Sequence, residues 1–184
     1  MSKINPIVTV LRDKSELLVR VAEIEDAASL VNIKFDITKE HIYMLREPYE
    51  FHNTIDIELK RINDMLHNRN KLQLVAEITN EIVGFLEFET KGIKKSEHVG
   101  SIYMGIAEHV RDNGIGTILL NTLIGWAVNN NSIEKITLQV FSNNERAIHL
   151  YKKFGFIMEG RLKNDIKLRD GSYIDNICMY KFVN

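Results

Sequence analysis

Apolar and polar positions alternate between two periods along this chain, and the switches between them predict its elements. Ile7 to Leu11 and Leu17 to Val21 are apolar, β-branched runs separated by Arg12-Asp13-Lys14-Ser15, which predicts a hairpin or a stray strand ahead of the main sheet. Glu25-Asp26-Ala27-Ala28 opens a helix with acid in its first turn and Leu30, Val31 and Ile33 behind it. From Asp36 to Asn53 the pattern breaks, which predicts a loop or broken helix, and Ile55, Leu59, Ile62, Met65 and Leu66 then mark a second helix from about Thr54 to His67. Leu72 to Ile78 and Ile82 to Glu89 flank the short turn Thr79-Asn80-Glu81 as a hairpin.

A charged loop, Lys91 to Glu97, precedes a strand from about Val99 to Ile106. Ile115, Ile118, Leu119, Thr122, Leu123, Trp126 and Ala127 then lie on one face of a helix that stops at Asn129-Asn130-Asn131. Lys135 to Phe141 alternates as a strand, Asn144 opens a further helix ended by Gly155, and Phe156 to Arg161 with Tyr173 to Phe182 form a last hairpin around Asp170-Gly171. This order is mixed α+β: helices flanking a mostly antiparallel sheet of about seven strands, with one parallel strand-helix-strand crossover from Val99 to Phe141.

Composition narrows this picture. A chain of 184 residues with 45% hydrophobic content is expected to form one domain over 1–184, with 1–16 as an extra N-terminal strand. The net charge of −1 is spread along the chain, so no nucleic-acid partner is expected. The single cysteine, Cys178, rules out an internal disulfide framework and is expected buried in a strand, and no Cys/His cluster at metal-ligand spacing predicts a metal. Met1 to Pro6 lacks a signal-peptide pattern and no apolar run reaches membrane-spanning length, so a soluble, cytoplasmic protein without membrane partners is expected.

The chemistry concentrates in Arg111-Asp112-Asn113-Gly114-Ile115-Gly116, between a strand and a helix. Gly114 and Gly116 let the backbone turn sharply and bring its N–H groups near a ligand, while the new helix points its positive end at the same place. A nucleotide P-loop would need Lys-Ser or Lys-Thr after the last glycine, where Thr117 and Ile118 stand, and a dinucleotide fingerprint would need glycine at Leu119. The turn suits an anion of another kind, or is a glycine-rich helix start with no ligand. On the later helix, Asn144, Ala147 and Tyr151 share one face over two turns. An amide, a small residue and a phenol in a row can line a groove, although Asn144 equally suits an N-cap and Tyr151 a core aromatic.

Taken together, Arg111-x-x-Gly114-x-Gly116 after a strand and Asn144-x-x-Ala147-x-x-x-Tyr151-x-x-x-Gly155-Phe156 on a later helix resemble the GNAT superfamily of acetyl-CoA-dependent N-acetyltransferases. Val19-Arg20-x-Ala22 followed by Asp26-Ala27, and the hairpin with Val83-Gly84, are similar to that superfamily's early elements. Met158-Glu159-Gly160 with Asp170-Gly171-x-Tyr173-x-Asp175-x-x-x-Met179 resembles the C-terminal hairpin of its bacterial branch that includes ribosomal-protein N-terminal acetyltransferases. The resemblance implies a GNAT-like fold in which Gly100 to Ile106 and Lys135 to Phe141 splay apart around acetyl-CoA. It implies that N–H groups of Arg111, Asp112, Asn113, Gly114, Ile115, Gly116 and Thr117 hold the pyrophosphate, and that those near Ile106 bond the pantetheine and acetyl carbonyl. Asn144 would bond the pantetheine, Tyr151 would be the general acid, and the Arg111 guanidinium is expected either at a phosphate or in solvent.

Acetyl transfer needs a held thioester, oxyanion donors, a neutral amine and a proton for the thiolate. Backbone N–H donors are typically worth about 3 kcal/mol of barrier each, and a phenol can supply the proton. The base stays open among Glu87, Glu89, Glu108 and His98, with Glu47 and Glu50 in the early loop as further carboxylates. The resemblance implies that substrate selection lies in Asp36–Asn53 and Lys163–Tyr173, and here the first carries Glu47, Tyr49, Glu50 and Phe51, which suit a cation or a peptide N-terminus, while the second carries Lys163, Lys167 and Arg169. The acceptor implied is a primary amine of a small molecule; a protein N-terminus, or a coenzyme-A-binding sensor without turnover, are the alternatives, and a homodimer is compatible with either.

Overall fold

The computed structural model describes residues 4–40 and 43–183. Eight strands form one sheet in the order β1-β2-β3-β4-β5-β6-β8-β7. They are β1 (Ile7–Val10), β2 (Glu16–Val21), β3 (Leu72–Ile78), β4 (Glu81–Thr90), β5 (Val99–Ile106), β6 (Lys135–Phe141), β7 (Ile157–Lys167) and β8 (Tyr173–Phe182). Four helices flank the sheet: α1 (Ala27–Lys39), α2 (Ile55–His67), α3 (Ile115–Val128) and α4 (Glu145–Lys153). The N-terminal hairpin is therefore real, and β1 is the eighth strand beyond the expected seven. Among the described residues no helix is long and apolar enough to cross a membrane.

Two faces are built from the period-2 alternation of the central strands. Leu74, Ala76, Leu86, Phe88, Ile136, Leu138 and Val140 meet α3 in one core, which also takes in Tyr151 and Phe156. Val75 and Phe85 point the other way, against Ala27, Leu30, Ile33 and Ile37 of α1 and Ile62 of α2. The first helix runs to Lys39, past the expected break at Asp36, because Ile37 and Thr38 continue the buried face begun by Leu30, Ile33 and Lys34. Cys178 lies on β8 as expected but is half-buried.

A charged layer lies inside the second core. Lys34, Glu58, Gln73 and Glu87 are each at most 4% exposed. Lys34 Nζ donates to Glu58 Oε1 at 2.6 Å and to Glu87 Oε1, and Gln73 Nε2 donates to the same two oxygens at 2.9 and 3.0 Å. Asn53 Nδ2 reaches Glu58 Oε2 at 2.7 Å, and Arg61 closes the layer through Glu89 at 3.0 Å. Burial pushes the Glu87 carboxyl above the usual carboxylate range, against the pull of Lys34 and Arg61. Burial acts on Glu58 in the same sense, but Lys34 and the amides of Asn53 and Gln73 outweigh it and hold that carboxyl low. This layer ties α1 and α2 to β3 and β4 directly across from Tyr103, the β5 partner of Glu87.

Candidate active site

The site begins where the sheet stops being a sheet. β5 and β6 are parallel but pair only at Val99 with Lys135, Gly100 with Ile136 and Ser101 with Thr137. Beyond Ser101 the strands diverge, while the β4 side of β5 stays in register to Gly84 opposite Ile106. The Ala107 N–H donates to Val83 O at 2.9 Å, toward β4. By the alternation of an antiparallel ladder, the N–H of Ile106 then faces the opposite way, into the gap.

The glycine turn closes one end of that gap. Gly114 has φ of 100° and is the N-cap of α3, and Asp112 has φ of 63°, so the loop makes two left-handed steps on its way into the helix. A Cβ on Gly116 would lie 3.0 Å from Leu150 Cδ2, 3.3 Å from Ile106 Cδ1 and 3.8 Å from Met104 Cε. That crowding brings the first turn of α3, the end of β5 and α4 to one place. Ile115 is buried beneath the turn and Thr117 is half-buried beside it.

Side chains of the loop point outward to supports. The Arg111 guanidinium does not stand free in solvent: Nε donates to Ile106 O at 2.9 Å, and the other end pairs with Glu40 at the C-terminus of α1. Asp112 meets Arg146 of α4 at 3.3 Å. Asn113 exchanges hydrogen bonds with Asp13 in the β1–β2 turn.

On α4, Asn144 is the N-cap, its Oδ1 accepting from Ala147 N at 3.1 Å. Tyr151 is 8% exposed, stacks edge-on against Phe156 at 5.8 Å, and burial pushes its phenol up to about 12. Its hydroxyl makes no hydrogen bond among the described residues, so its proton is not committed elsewhere.

The carboxylates named as bases separate. Glu87 is enclosed by Lys34, and Glu89 is paired with Arg61. Glu108 opens a short 3₁₀ turn beside a groove of about 480 Å³ between α1, the β3–β4 turn and residues 107–109. His98 offers its backbone carbonyl to Glu134 N and Lys135 N, fixing the start of β6.

The two segments expected to select the substrate meet each other. Pro48–Glu50 forms a 3₁₀ turn capped by Glu47 and Glu50, and Phe51 packs on Phe35 of α1 at 5.3 Å. Arg169, at the β7–β8 turn, grips the Glu47 carboxylate with Nε at 3.0 Å and with its terminal nitrogen. Lys163 turns instead to Asp175 at 3.0 Å, and Lys167 lies over the Tyr173 ring at 5.6 Å. The opposed charges of the two segments are thus complementary partners. Lys34, Glu58, Glu40 and Asp13 were missed from sequence; a lysine and a glutamate at buried helical positions, in line with Ile37 and Ile62, were the available signal for the first two.

The splayed parallel pair, the glycine-turned start of α3 and the buried Tyr151 on α4 thus lie in one sheet-and-helix frame of the kind found in acyltransferases. Residues 39–156 match the family model described as "Acetyltransferase (GNAT) family". The chain belongs to that family of acyltransferases. It is 33% identical over 107 residues to the L-amino acid N-acetyltransferase AaaT of Escherichia coli, a match spanning 58% of this chain and 65% of that enzyme, just under two thirds. A crystal structure of an acetyltransferase of the GNAT family from Streptococcus pneumoniae superimposes with a TM-score of 0.87 at 28% identity, covering 90% of this chain and 99% of that one. A spermidine N-acetyltransferase from Vibrio cholerae, solved in complex with CoA and spermine, shares the fold with a TM-score of 0.69 at 24% identity, over 90% and 95% of the two chains.

Proposed function

We propose that this chain transfers the acetyl group of acetyl-CoA to the primary amine of a small molecule by direct attack in a ternary complex. The observation that carries the reading is the convergence at Gly116, where Met104 and Ile106 at the open end of β5 and Leu150 of α4 close on the first turn of α3 so tightly that a Cβ there would crowd them. The Arg111 N–H, expected among the phosphate donors, is instead spent on Glu108 O at 3.2 Å, so the N–H groups of residues 112–117 bind the pyrophosphate, with the positive end of α3 behind them. The Ile106 N–H donates to the thioester carbonyl and then to the oxyanion that forms there. Asn144, with Oδ1 held by the cap, has its Nδ2 for the pantetheine. The neutral amine nitrogen forms the C–N bond to the thioester carbon, the C–S bond breaks, Tyr151 gives its proton to the departing sulfur, and the proton shed by the acylated nitrogen passes through solvent to restore the Tyr151 phenol. Raised by burial, the phenol stays protonated at neutral pH and so holds a proton to give.

A small acceptor suits the clasp between Glu47 and Arg169, which joins the two walls that a peptide would have to pass. Amino-acid and polyamine acetylation, named for the similar enzymes, supports the same class. The test is release of free thiol from acetyl-CoA across a panel of amino acids, polyamines and short peptides, beside acetyl-CoA binding by calorimetry with Gly116→Glu as control. Turnover of a free amine supports the reading. Peptide-only turnover replaces it with protein N-terminal acetylation, binding without turnover replaces it with a sensor, and no binding removes acetyl-CoA altogether.

A further inference from the structure

The β1–β2 turn lies outside the elements that form the cleft, yet it grips the phosphate loop from the outside. Asp13 N donates to Asn113 Oδ1 at 3.2 Å, Asn113 Nδ2 donates back to Asp13 Oδ2, and Arg12 donates to the carbonyl of Asp112 at 3.3 Å. The turn is itself fixed: Asp13 Oδ1 accepts from Ser15 N at 2.9 Å and Ser15 Oγ at 2.6 Å, and Lys14 supplies the left-handed step with φ of 71°. Each carboxylate oxygen therefore has one task, one holding the turn and the other holding Asn113.

The loop needs such a support. Asp112 and Gly114 both have positive φ, and Gly114 as N-cap has no side chain to accept from the first N–H groups of α3. Exposed hydrogen bonds of this kind add little to global stability. Their effect falls on the loop conformation, where pre-organisation lowers the ordering cost of binding.

We infer that Asp13 and Asn113 form a positioning pair, through which the N-terminal hairpin holds residues 112–117 ready for a diphosphate. The inference rests on acetyl-CoA being the ligand of the cleft. Asp13→Ala and Asn113→Ala should each weaken acetyl-CoA binding about tenfold in calorimetry, leave S-acetylpantetheine, which lacks the diphosphate, unaffected in competition, and shift the melting temperature by no more than about 2 °C. The double variant should lose no more than either single one. Amide hydrogen exchange of residues 112–117 in the unliganded protein should speed up in both variants. Unchanged acetyl-CoA affinity and exchange in Asp13→Ala would overturn the pair, as would equal losses for both thioesters. A parent chain that binds no acetyl-CoA would instead bring down the functional reading on which the pair depends.

Discussion

Replacing Lys34 by Met tests whether the buried charged layer is held together by its one ammonium. Methionine keeps the length and packing of the lysine stem and removes only the charge. Glu58 and Glu87 would then lie against the same Gln73 nitrogen, neither more than 4% exposed, with only the more exposed Arg61 guanidinium left as a cation, 4.0 Å from Glu58 and 3.5 Å from Glu87. Removing one partner of a buried ion pair costs about 3–5 kcal/mol, which for a chain of this size lowers the melting temperature by roughly 6–20 °C. The pH dependence should also change. In the parent the two carboxylates act in opposite senses: Glu58, held below its unfolded value, contributes stability above about pH 4.3 that is lost as pH falls through the folded value, whereas Glu87, held above its own, loses its contribution as pH rises through the folded value. Without Lys34 the two carboxylates share a proton, the folded chain binds it more tightly than the unfolded one, and stability falls as pH rises from about 5 to 8. Thermal unfolding followed by circular dichroism at several pH values reads both effects, with Glu89, Arg61 and Tyr103 as unchanged neighbours. Adding Glu87→Gln to the variant should recover part of the loss. A drop of less than about 2 °C, equal at pH 5 and pH 8, would refute the account.

Tyr151→Phe should cut turnover at least about a hundredfold while acetyl-CoA affinity changes little, and the parent's rate should show no alkaline decline from this phenol up to about pH 10. Because the folded phenol sits near 12 against an ordinary 10, Tyr151 stabilises the fold below pH 10 and loses that contribution as pH rises toward 12, which alkaline unfolding of parent and variant compares. Gly114→Ala, forced to φ of 100°, should cost about 1–2 kcal/mol, or roughly 2–8 °C in a melting experiment, and an unshifted melting temperature would show that the loop relaxes.

Elements with a clean period and a glycine or asparagine at their ends were legible before any coordinates: the β3–β4 hairpin around Asn80, the α3 start at Gly114 and the α4 cap at Asn144 all stand where the pattern puts them. The end of α1 was not, because Lys34 and Thr38 occupy inward positions that an apolar count reads as solvent. Long-range pairings carried no local signal. Nothing near Arg111 indicates that its guanidinium turns to Glu40, and nothing near Asp13 indicates a partner one hundred residues away. The glycine spacing was readable because it is a backbone requirement, whereas the loop's supports depend on how distant elements are placed.

The shortness of the parallel pairing has a further consequence. Five strands before the gap and three after it are each joined by antiparallel ladders, but among the described residues the two blocks pair at Val99, Gly100 and Ser101 alone, with Thr137 Oγ1 adding a bond to Gly100 O and the His98 carbonyl taking Glu134 N and Lys135 N at the same end. Within the sheet this is a crease, the line along which two cooperative units can part at the least cost in backbone bonds. The proposed reaction chemistry lies along that crease. Whatever bridges that seam with hydrogen bonds to both sides acts as mortar between the blocks, so occupancy of the cleft and the cohesion of the whole molecule rise and fall together.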